Sequence, residues 1–189
     1  MRRVMVIHPS FRAPAVERIE AEAWRPAPRR LALRFVLIGD IDALFVPAAA
    51  APARVDGLWR RTCFEAFVAT GPGEGYFEFN VSPSGQWSAY AFSAYRAGMT
   101  PAEIGEPPHT EVVAAPGRLE ARVSLDLAWL VPPDAPWRLG LSAVIEAADG
   151  ALSYWALAHP PGRPDFHHSA GFALDLPLTE HPCNSASTA

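Results

Sequence analysis

The most distinctive chemistry in the sequence lies between residues 58 and 67, which read LWRRTCFEAF. If this segment is extended, every second side chain projects to the same side of the strand. The side chains on one side are then Trp59, Arg61, Cys63, Glu65 and Phe67. An indole that stacks on a sugar ring, beside a guanidinium and a carboxylate that bond its hydroxyls, has the composition of a carbohydrate site. The competing interpretation is a core tryptophan with an ordinary cross-strand ion pair between Arg61 and Glu65.

A second polar patch falls on the next strand-like segment, residues 76–81, where Glu78 and Asn80 share the polar side. If that side turns the same way as Glu65, the two residues extend one site; otherwise they face solvent. Carboxylates on neighbouring strands also suggest a glycosidase pair, in which the distance between the carboxyl groups sets the stereochemical outcome. Arg96 ends a later strand, where it either lines the same rim or caps a carboxylate.

A third segment, residues 153–168, joins a strand to a proline-rich loop. Its candidate binding residues are Trp155 and His159 on one face of the strand, followed by Asp165, His167 and His168 in the loop. Loops on a rigid sandwich commonly carry binding groups. Imidazole and carboxylate are also ligands of zinc and iron, so a metal-dependent enzyme that uses the 159–168 loop is an alternative. The spacing matches no standard ligand pattern, and neighbouring histidines in a strand would point in opposite directions.

The composition argues against several other classes of protein. The chain has 189 residues, with 16 arginines and no lysine against 20 acidic residues, and a formal charge of −4, which predicts no nucleic-acid surface. No apolar run approaches the roughly 20 residues that cross a bilayer. The N-terminal apolar stretch of four residues is too short for a signal peptide, so we expect a cytoplasmic protein without a membrane interaction. Cys63 and Cys183 are expected as free thiols.

The elements that must position these residues are strands, because hydrophobic residues alternate with period two along most of the chain. Strands are predicted over residues 31–38, 62–69, 76–81, 86–92, 119–126, 137–147, 152–158 and 172–176, with one helical turn near 102–104. Twenty prolines leave little room for long helices. About nine to eleven short strands predict an all-β, antiparallel sandwich in one domain, residues 1–178, followed by a disordered tail, residues 179–189.

Three blocks of the sequence together resemble a bacterial group of DOMON-like domains, which are related to the family 9 carbohydrate-binding modules. The blocks are Trp59–Phe67, Tyr76–Trp87, and Tyr154–Pro160 with Pro164–His167. The resemblance covers most of the chain, up to about Leu176. It implies a jelly-roll-like β-sandwich that binds either sugars or haem.

The resemblance also implies roles for individual residues. Trp59 and Glu65 match the spacing of a tryptophan that stacks on a terminal sugar and a glutamate that bonds its hydroxyls, and Trp155 is the candidate for a second stacking aromatic. Related modules often hold structural calcium. In the haem-binding branch, Met99 and one of His159, His167 or His168 would be the axial ligands.

The sequence as a whole predicts a non-catalytic domain that binds a carbohydrate or sugar derivative by stacking and hydrogen bonds. The expected binding residues are Trp59, Arg61, Glu65, Glu78, Asn80, Arg96, Trp155, His159, Asp165 and His167. A haem-binding electron-transfer or sensor domain and a metal-dependent enzyme are the alternatives. The sequence identifies no protein partner, and it does not specify which ligand is bound.

Overall fold

The alternating segments form two antiparallel sheets that pack face to face. The computed structural model describes residues 2–71, 73 and 75–177. The first sheet has five strands in the order β1 (Arg2–Val4), β3 (Val16–Ala27), β4 (Arg30–Gly39), β10 (Arg118–Asp126) and β9 (His109–Ala115). The second has the order β2 (Val6–Ile7), β12 (Leu152–Ala156), β11 (Trp137–Glu146), β5 (Cys63–Ala69), β6 (Tyr76–Val81), β7 (Trp87–Phe92) and β8 (Thr100–Pro101), and β13 (Leu174–Leu176) pairs with β11.

The predicted antiparallel β-sandwich is therefore confirmed. The 13 strands of the described residues exceed the predicted nine to eleven, and four of them have only two or three residues. The turn predicted near 102–104 is wrong, since the described 3-10 turns lie at Ile41–Ala43, Leu58–Arg60 and Ser169–Gly171. The tail predicted for residues 179–189 lies outside the described residues, and the single-domain assignment of residues 1–178 stays a prediction.

The sequence did not predict β3, although it is the longest strand of the first sheet. Its register against β4 shifts between Val16 and Arg18, and this irregularity brings Val16 and Ile19 to the buried side three residues apart. The next buried apolar positions, Ala21 and Ala23, are small. Because the period-two alternation is interrupted and the inward residues are small, the hydrophobic pattern does not reveal this strand.

The core lies between the sheets and consists of the inward residues of both. Phe35 of β4 and Phe64 of β5 meet there as stacked rings, with centroids 4.8 Å apart and planes 22° apart. Leu37, Phe79 and Leu139 belong to the same buried cluster. Facing strands thus interlock large apolar side chains across the interface between the sheets, as a sandwich requires.

The outer face of the second sheet is buried as well. Phe67, Tyr76, Tyr90, Phe92 and Phe172 form a second, smaller cluster there, in which Phe172 follows the 3-10 turn at Ser169–Gly171. Gly140 of β11 permits this close approach, since a Cβ at Gly140 would lie 3.2 Å from the carbonyl oxygen of Gly171. The segment that follows β12 therefore folds back over the outer face of the second sheet.

The outer face of the first sheet carries charged residues instead. Glu120 accepts hydrogen bonds from Arg34, Arg118 and Arg122, and the bond from Arg34 contributes most to lowering the pKa of Glu120 to about 2. No helix among the described residues is long and apolar enough to span a membrane. The buried Glu120 on this face is therefore matched by arginines, whereas Glu65 and Glu78 are buried on the outer face of the second sheet.

Replacement of Phe64 tests the role of the core stack. Phe64→Ala should lower the free energy of unfolding by about 3–5 kcal/mol, because it removes a fully buried ring and leaves a cavity. Phe64→Leu, which retains most of the volume, should cost less than about 2 kcal/mol. Urea unfolding followed by tryptophan fluorescence measures both, and equal losses for the two variants would contradict the packing described here.

Candidate functional site

A cavity of about 470 Å³ opens on the outer face of the second sheet. Three covering segments enclose it: the 3-10 turn Leu58–Arg60, residues 93–99, and the loop 159–168. Its polar lining consists of Glu65, Glu78, Arg96 and His167. The rest of the lining is apolar or aromatic: Trp59, Tyr90, Phe92, Met99, Val144, Tyr154, Pro164 and Phe166. The structure therefore brings together five of the residues expected from the sequence: Trp59, Glu65, Glu78, Arg96 and His167.

The register of the strands fixes the floor of the cavity. Ser142 of β11 is paired with Glu65 of β5, Glu65 with Asn80 of β6, and Asn80 with Ser88 of β7. Because paired residues in an antiparallel sheet point to the same face, these four side chains form a polar band across the outer face. All four are buried. The band lies in the middle of a sheet whose other face is apolar.

Glu65 is the deepest charged group of the site, with 3% of its surface exposed. Ser142 Oγ donates a hydrogen bond to Glu65 Oε2 at 3.0 Å, while Oε1 is buried and has no partner among the described residues. Burial, with a smaller contribution from the neighbouring charge of Glu78, raises the pKa of Glu65 to about 8. One oxygen of the carboxyl is thus hydrogen-bonded, and the other is buried in the floor of the cavity without a partner among the described residues.

Glu78 lies beside Glu65 and is bonded differently. Asn80 Nδ2 donates to Glu78 Oε1 at 2.6 Å, and His167 Nε2 lies 3.8 Å from Glu78 Oε2. Burial raises the pKa of Glu78, although the hydrogen bond from Asn80 and the charge of Arg96 oppose that effect. Asn80 is fully buried and therefore supports the floor through Glu78 rather than lining the cavity.

An ion pair joins two of the covering segments at the rim. Arg96 donates to Asp165 Oδ1 from Nη2 at 2.8 Å and from Nε at 3.2 Å, and the Tyr95 hydroxyl donates to Asp165 Oδ2. Burial by itself raises the pKa of Asp165, but the hydrogen bonds from Tyr95 and Arg96 outweigh it and lower the pKa. Asp165 is therefore an ionised rim residue that holds Arg96 in place.

His167 connects the rim to the floor. Its Nδ1 lies 2.8 Å from the Tyr76 hydroxyl, and that oxygen also accepts a hydrogen bond from the Arg96 backbone N–H at 3.2 Å. Burial, reinforced by the positive charge of Arg96, lowers the pKa of His167 to about 4. The imidazole is consequently neutral at pH 7, and when Tyr76 donates to Nδ1 the ring hydrogen is on Nε2, facing Glu78.

The walls of the cavity are aromatic. Trp59 is 36% exposed at the opening and meets Tyr90 edge-on, with ring centroids 5.9 Å apart. The Tyr90 hydroxyl donates to Asp56 Oδ1 at 2.6 Å, which fixes the ring. Tyr154 and Phe166 form another part of the lining and contact one another, with centroids 6.1 Å apart. A flat ligand that enters the cavity thus meets aromatic surface before it reaches the carboxyls.

The remaining expected residues lie elsewhere. Trp155 is 6% exposed in the core between the sheets, where its Nε1 donates to Ser153 Oγ at 3.0 Å. Trp155 points to the inner face of the sheet. Its neighbour Tyr154 points to the outer face and is the aromatic residue of β12 that lines the cavity. Trp155 is therefore not in a position to stack on a ligand in this cavity.

Arg61 and His159 also lie outside the lining. Arg61 pairs with Glu146 at 3.3 Å, not with Glu65, and its guanidinium lies 4.8 Å from the centre of the Phe45 ring. His159 Nε2 lies 2.9 Å from the Val6 carbonyl oxygen, so His159 joins the end of β12 to β2. The extended conformation predicted near Trp59 is wrong, because Leu58–Arg60 form a 3-10 turn.

Several lining residues were not predicted from the sequence, notably Tyr90, Phe92 and Tyr154. In the ladder Tyr90 is paired with Glu78, and Phe92 with Tyr76. The alternation of residues 86–92 already places Tyr90 and Phe92 on one face. Alternate residues of a strand share a face, and the same reasoning that placed Glu78 and Asn80 on one face of β6 would therefore have identified Tyr90 and Phe92 on β7. Cys63 shares this outer face and is a buried free thiol, as expected, whereas Cys183 lies outside the described residues.

The residues present do not form the expected metal sites. Among the described residues, no three His, Cys, Asp or Glu side chains come together in a geometry that could hold a metal ion. Two histidines of the 159–168 loop, which the metal-enzyme alternative uses, have other partners: His159 contacts Val6 and His167 contacts Tyr76. The described residues therefore offer no cluster of such side chains for zinc or iron.

Haem has two of its expected ligands in one cavity, since Met99 and His167 both line it. The floor does not suit the group, however. A macrocycle over the carboxyls would place hydrocarbon against the buried, unpartnered Oε1 of Glu65, at a cost that no haem atom offsets. Met99 is 56% exposed and His167 Nδ1 is bonded to Tyr76, so neither residue is held as an axial ligand.

No protein-family model matches the chain, and no curated protein is significantly similar to it. Its fold is similar to that of a crystal structure from Bacteroides uniformis ATCC 8492, described as a "putative carbohydrate-binding protein". The two chains are 15% identical, with a TM-score of 0.59 over 81% of this chain and 75% of the other. At that identity the likeness establishes a shared fold.

The pH dependence of stability tests the burial of Glu65. The unfolded chain ionises this carboxyl above about pH 4.5, whereas the folded chain keeps the proton until about pH 8. The contribution of Glu65 to stability is therefore complete below pH 4.5 and is lost as the pH rises to 8. Glu65→Gln should flatten this decline and be more stable than wild type at pH 8 by roughly 1–3 kcal/mol.

The matched control is Glu120→Gln on the outer face of the first sheet. The lowered pKa of Glu120, about 2, gives a contribution that is present above pH 4.5 and lost as the pH falls towards 2. Glu120→Gln should thus change only the acid limb of a urea-unfolding series from pH 2 to 9. Parallel curves for wild type and Glu65→Gln between pH 4.5 and 8 would show that Glu65 is ionised in the folded protein.

Backbone strain at the rim gives a second prediction. Arg96 has a φ of +51°, a conformation that costs a residue with a Cβ about 1 kcal/mol relative to glycine. Arg96→Gly and Arg96→Ala both remove the ion pair with Asp165, but Arg96→Gly also relieves the strain. Arg96→Gly should be more stable than Arg96→Ala by about 1 kcal/mol in urea unfolding, and equal stabilities would mean that Arg96 is unstrained.

Proposed function

We propose that this chain is a non-catalytic domain that binds a carbohydrate in the cavity on the outer face of its second sheet. The observation that carries the proposal is the exposed indole of Trp59 at the opening of a cavity whose floor presents the unpartnered carboxyl oxygen of Glu65. Carbohydrates need both features, because a sugar ring has an apolar C–H face and a periphery of hydroxyl groups. A volume of about 470 Å³ is within the usual range for small-molecule sites.

In this proposal each part of the site has a separate task. Trp59 stacks on one face of the sugar, and Tyr90 holds the indole edge-on. Glu65 Oε1 accepts a hydrogen bond from a hydroxyl that enters the floor, where no protein donor competes for it. Glu78, fixed by Asn80, offers a second acceptor. Arg96 and Asp165 form the rim and set how far the ligand enters.

The relationship to DOMON-like domains and family 9 carbohydrate-binding modules is part of the same proposal. The motif blocks that carry the resemblance coincide with the elements around the cavity: the turn and strand that bear Trp59 and Glu65, β6 with its following turn, and β12 with the loop that bears His167. The similarity in fold to a crystal structure described as carbohydrate-binding supports the same ligand class.

A glycan array followed by calorimetry on the best ligands tests the proposal. Trp59→Ala and Glu65→Ala should each weaken binding by about 10- to 100-fold, because each removes a contact worth about 1.5–3 kcal/mol. Trp129→Ala is the matched control, since Trp129 is 76% exposed and lies outside the cavity lining. An array on which no glycan binds, or binding that both variants leave unchanged, would refute the proposal.

An absorption spectrum of the same purified protein tests the haem alternative. A Soret band in the freshly purified protein that disappears in Met99→Leu would assign the cavity to haem and not to a sugar.

Glycoside hydrolysis is tested by incubating the bound glycans with wild type and Glu78→Gln. Cleavage that requires Glu78 would make the carboxyl pair catalytic.

A further inference from the structure

The floor of the cavity has two buried carboxyls, and in the described part of the chain no arginine forms an ion pair with either of them. Glu65 has no ion-pair partner among the described residues, and its Oε1 is buried without a hydrogen bond. The basic group near Glu78 is His167, whose Nε2 lies 3.8 Å from Glu78 Oε2 and whose imidazole is neutral at pH 7. Neither carboxyl therefore forms an ion pair with an arginine of the described residues, although the charge of Arg96 acts on Glu78 from a greater distance.

The guanidinium of Arg96 fills this gap only in part, because its charge acts on Glu78 but its hydrogen bonds go to Asp165. Arg96 is the arginine of the cavity lining, and its guanidinium donates from Nε and Nη2 to Asp165. The chain contains no lysine that could reach the floor instead. Glu65, Glu78 and Asp165 thus face one arginine. Burial raises the pKa of both floor carboxyls, and for Glu78 the charge of Arg96 opposes this rise without cancelling it.

The walls above the floor also suit a positive charge. The aromatic rings of Trp59, Tyr90, Tyr154 and Phe166 line the cavity. The faces of aromatic rings attract cations, and the attraction increases when the cation is removed from water. Acceptor oxygens below and aromatic surface around them form the pairing of groups that recognises ammonium ions.

We propose that the preferred ligand is an amino sugar, whose protonated amine lies against Glu65 and Glu78 on the floor of the cavity. This inference rests on the proposed function and narrows it from sugars in general to sugars with a free amine. An ammonium group carries three donors and no acceptor, so it can satisfy Glu65 Oε1 and Glu78 Oε2 together. A hydroxyl brings one donor and no charge, and an N-acetyl group replaces the charge with a neutral amide.

Calorimetry with matched sugars tests the inference directly. Glucosamine, galactosamine and mannosamine are compared with the parent hexoses and with the N-acetyl derivatives at pH 7. At least one amino sugar should bind about tenfold or more tightly than both of its counterparts, because a charged hydrogen bond replaces a neutral one in a buried setting. Chitosan oligosaccharides and their acetylated equivalents extend the comparison to longer ligands.

Variants then locate the preference. Glu78→Gln should reduce the amino-to-parent affinity ratio towards one, whereas Glu146→Gln, whose carboxyl pairs with Arg61 outside the cavity lining, should preserve it. Parent or N-acetyl sugars that bind as tightly as the amines would overturn the inference and leave the proposed function standing. An absence of binding to every glycan would overturn both.

Discussion

The second sheet is covered on both faces, and this constraint determines where the protein can hold polar groups. Its inner face packs against the first sheet through residues such as Phe64 and Phe79, and its outer face lies beneath the covering segments. A strand alternates between the two faces, so polar outward residues of β5, β6 and β11 must find partners inside the protein. Ser142 and Asn80 supply two of these partners, and Glu65 Oε1 is left without one.

The unsatisfied oxygen is stable in place because its surroundings are rigid. Burying a carboxyl without full hydrogen bonding costs free energy, and a mobile side chain would turn towards water. Glu65 is held in the centre of the sheet, between β11 and β6, by ladder pairing on both sides. The aromatic cluster around Phe67 and Tyr76 anchors the covering loop beside it and contributes the apolar burial that offsets the cost. A buried carboxyl with a raised pKa in a cavity is the pattern on which the proposed binding site rests.

The sequence predicted those parts of the molecule that depend on period-two alternation. The face shared by Glu65, Glu78 and Asn80 follows from strand parity together with pairing in an antiparallel ladder. Trp155 shows where parity fails, because alternation separates two faces but does not say which one is the core. Trp59 reaches the cavity from a 3-10 turn, and Arg96 from a segment with a positive φ, so their positions depend on tertiary contacts that no local pattern encodes.

The floor and the rim of the cavity are therefore positioned by different interactions. The floor depends on strand register, and a shift by one residue would turn Glu65 and Glu78 into the core. The rim depends on two side-chain contacts, one between Arg96 and Asp165 and one between Tyr76 and His167. Neither contact joins residues that are paired with each other on neighbouring strands. Changes in the loops can thus alter how much ligand the cavity admits without moving the carboxyls. In the proposed function, the sheet thus sets the chemical class of the ligand, whereas the loops set its size and linkage.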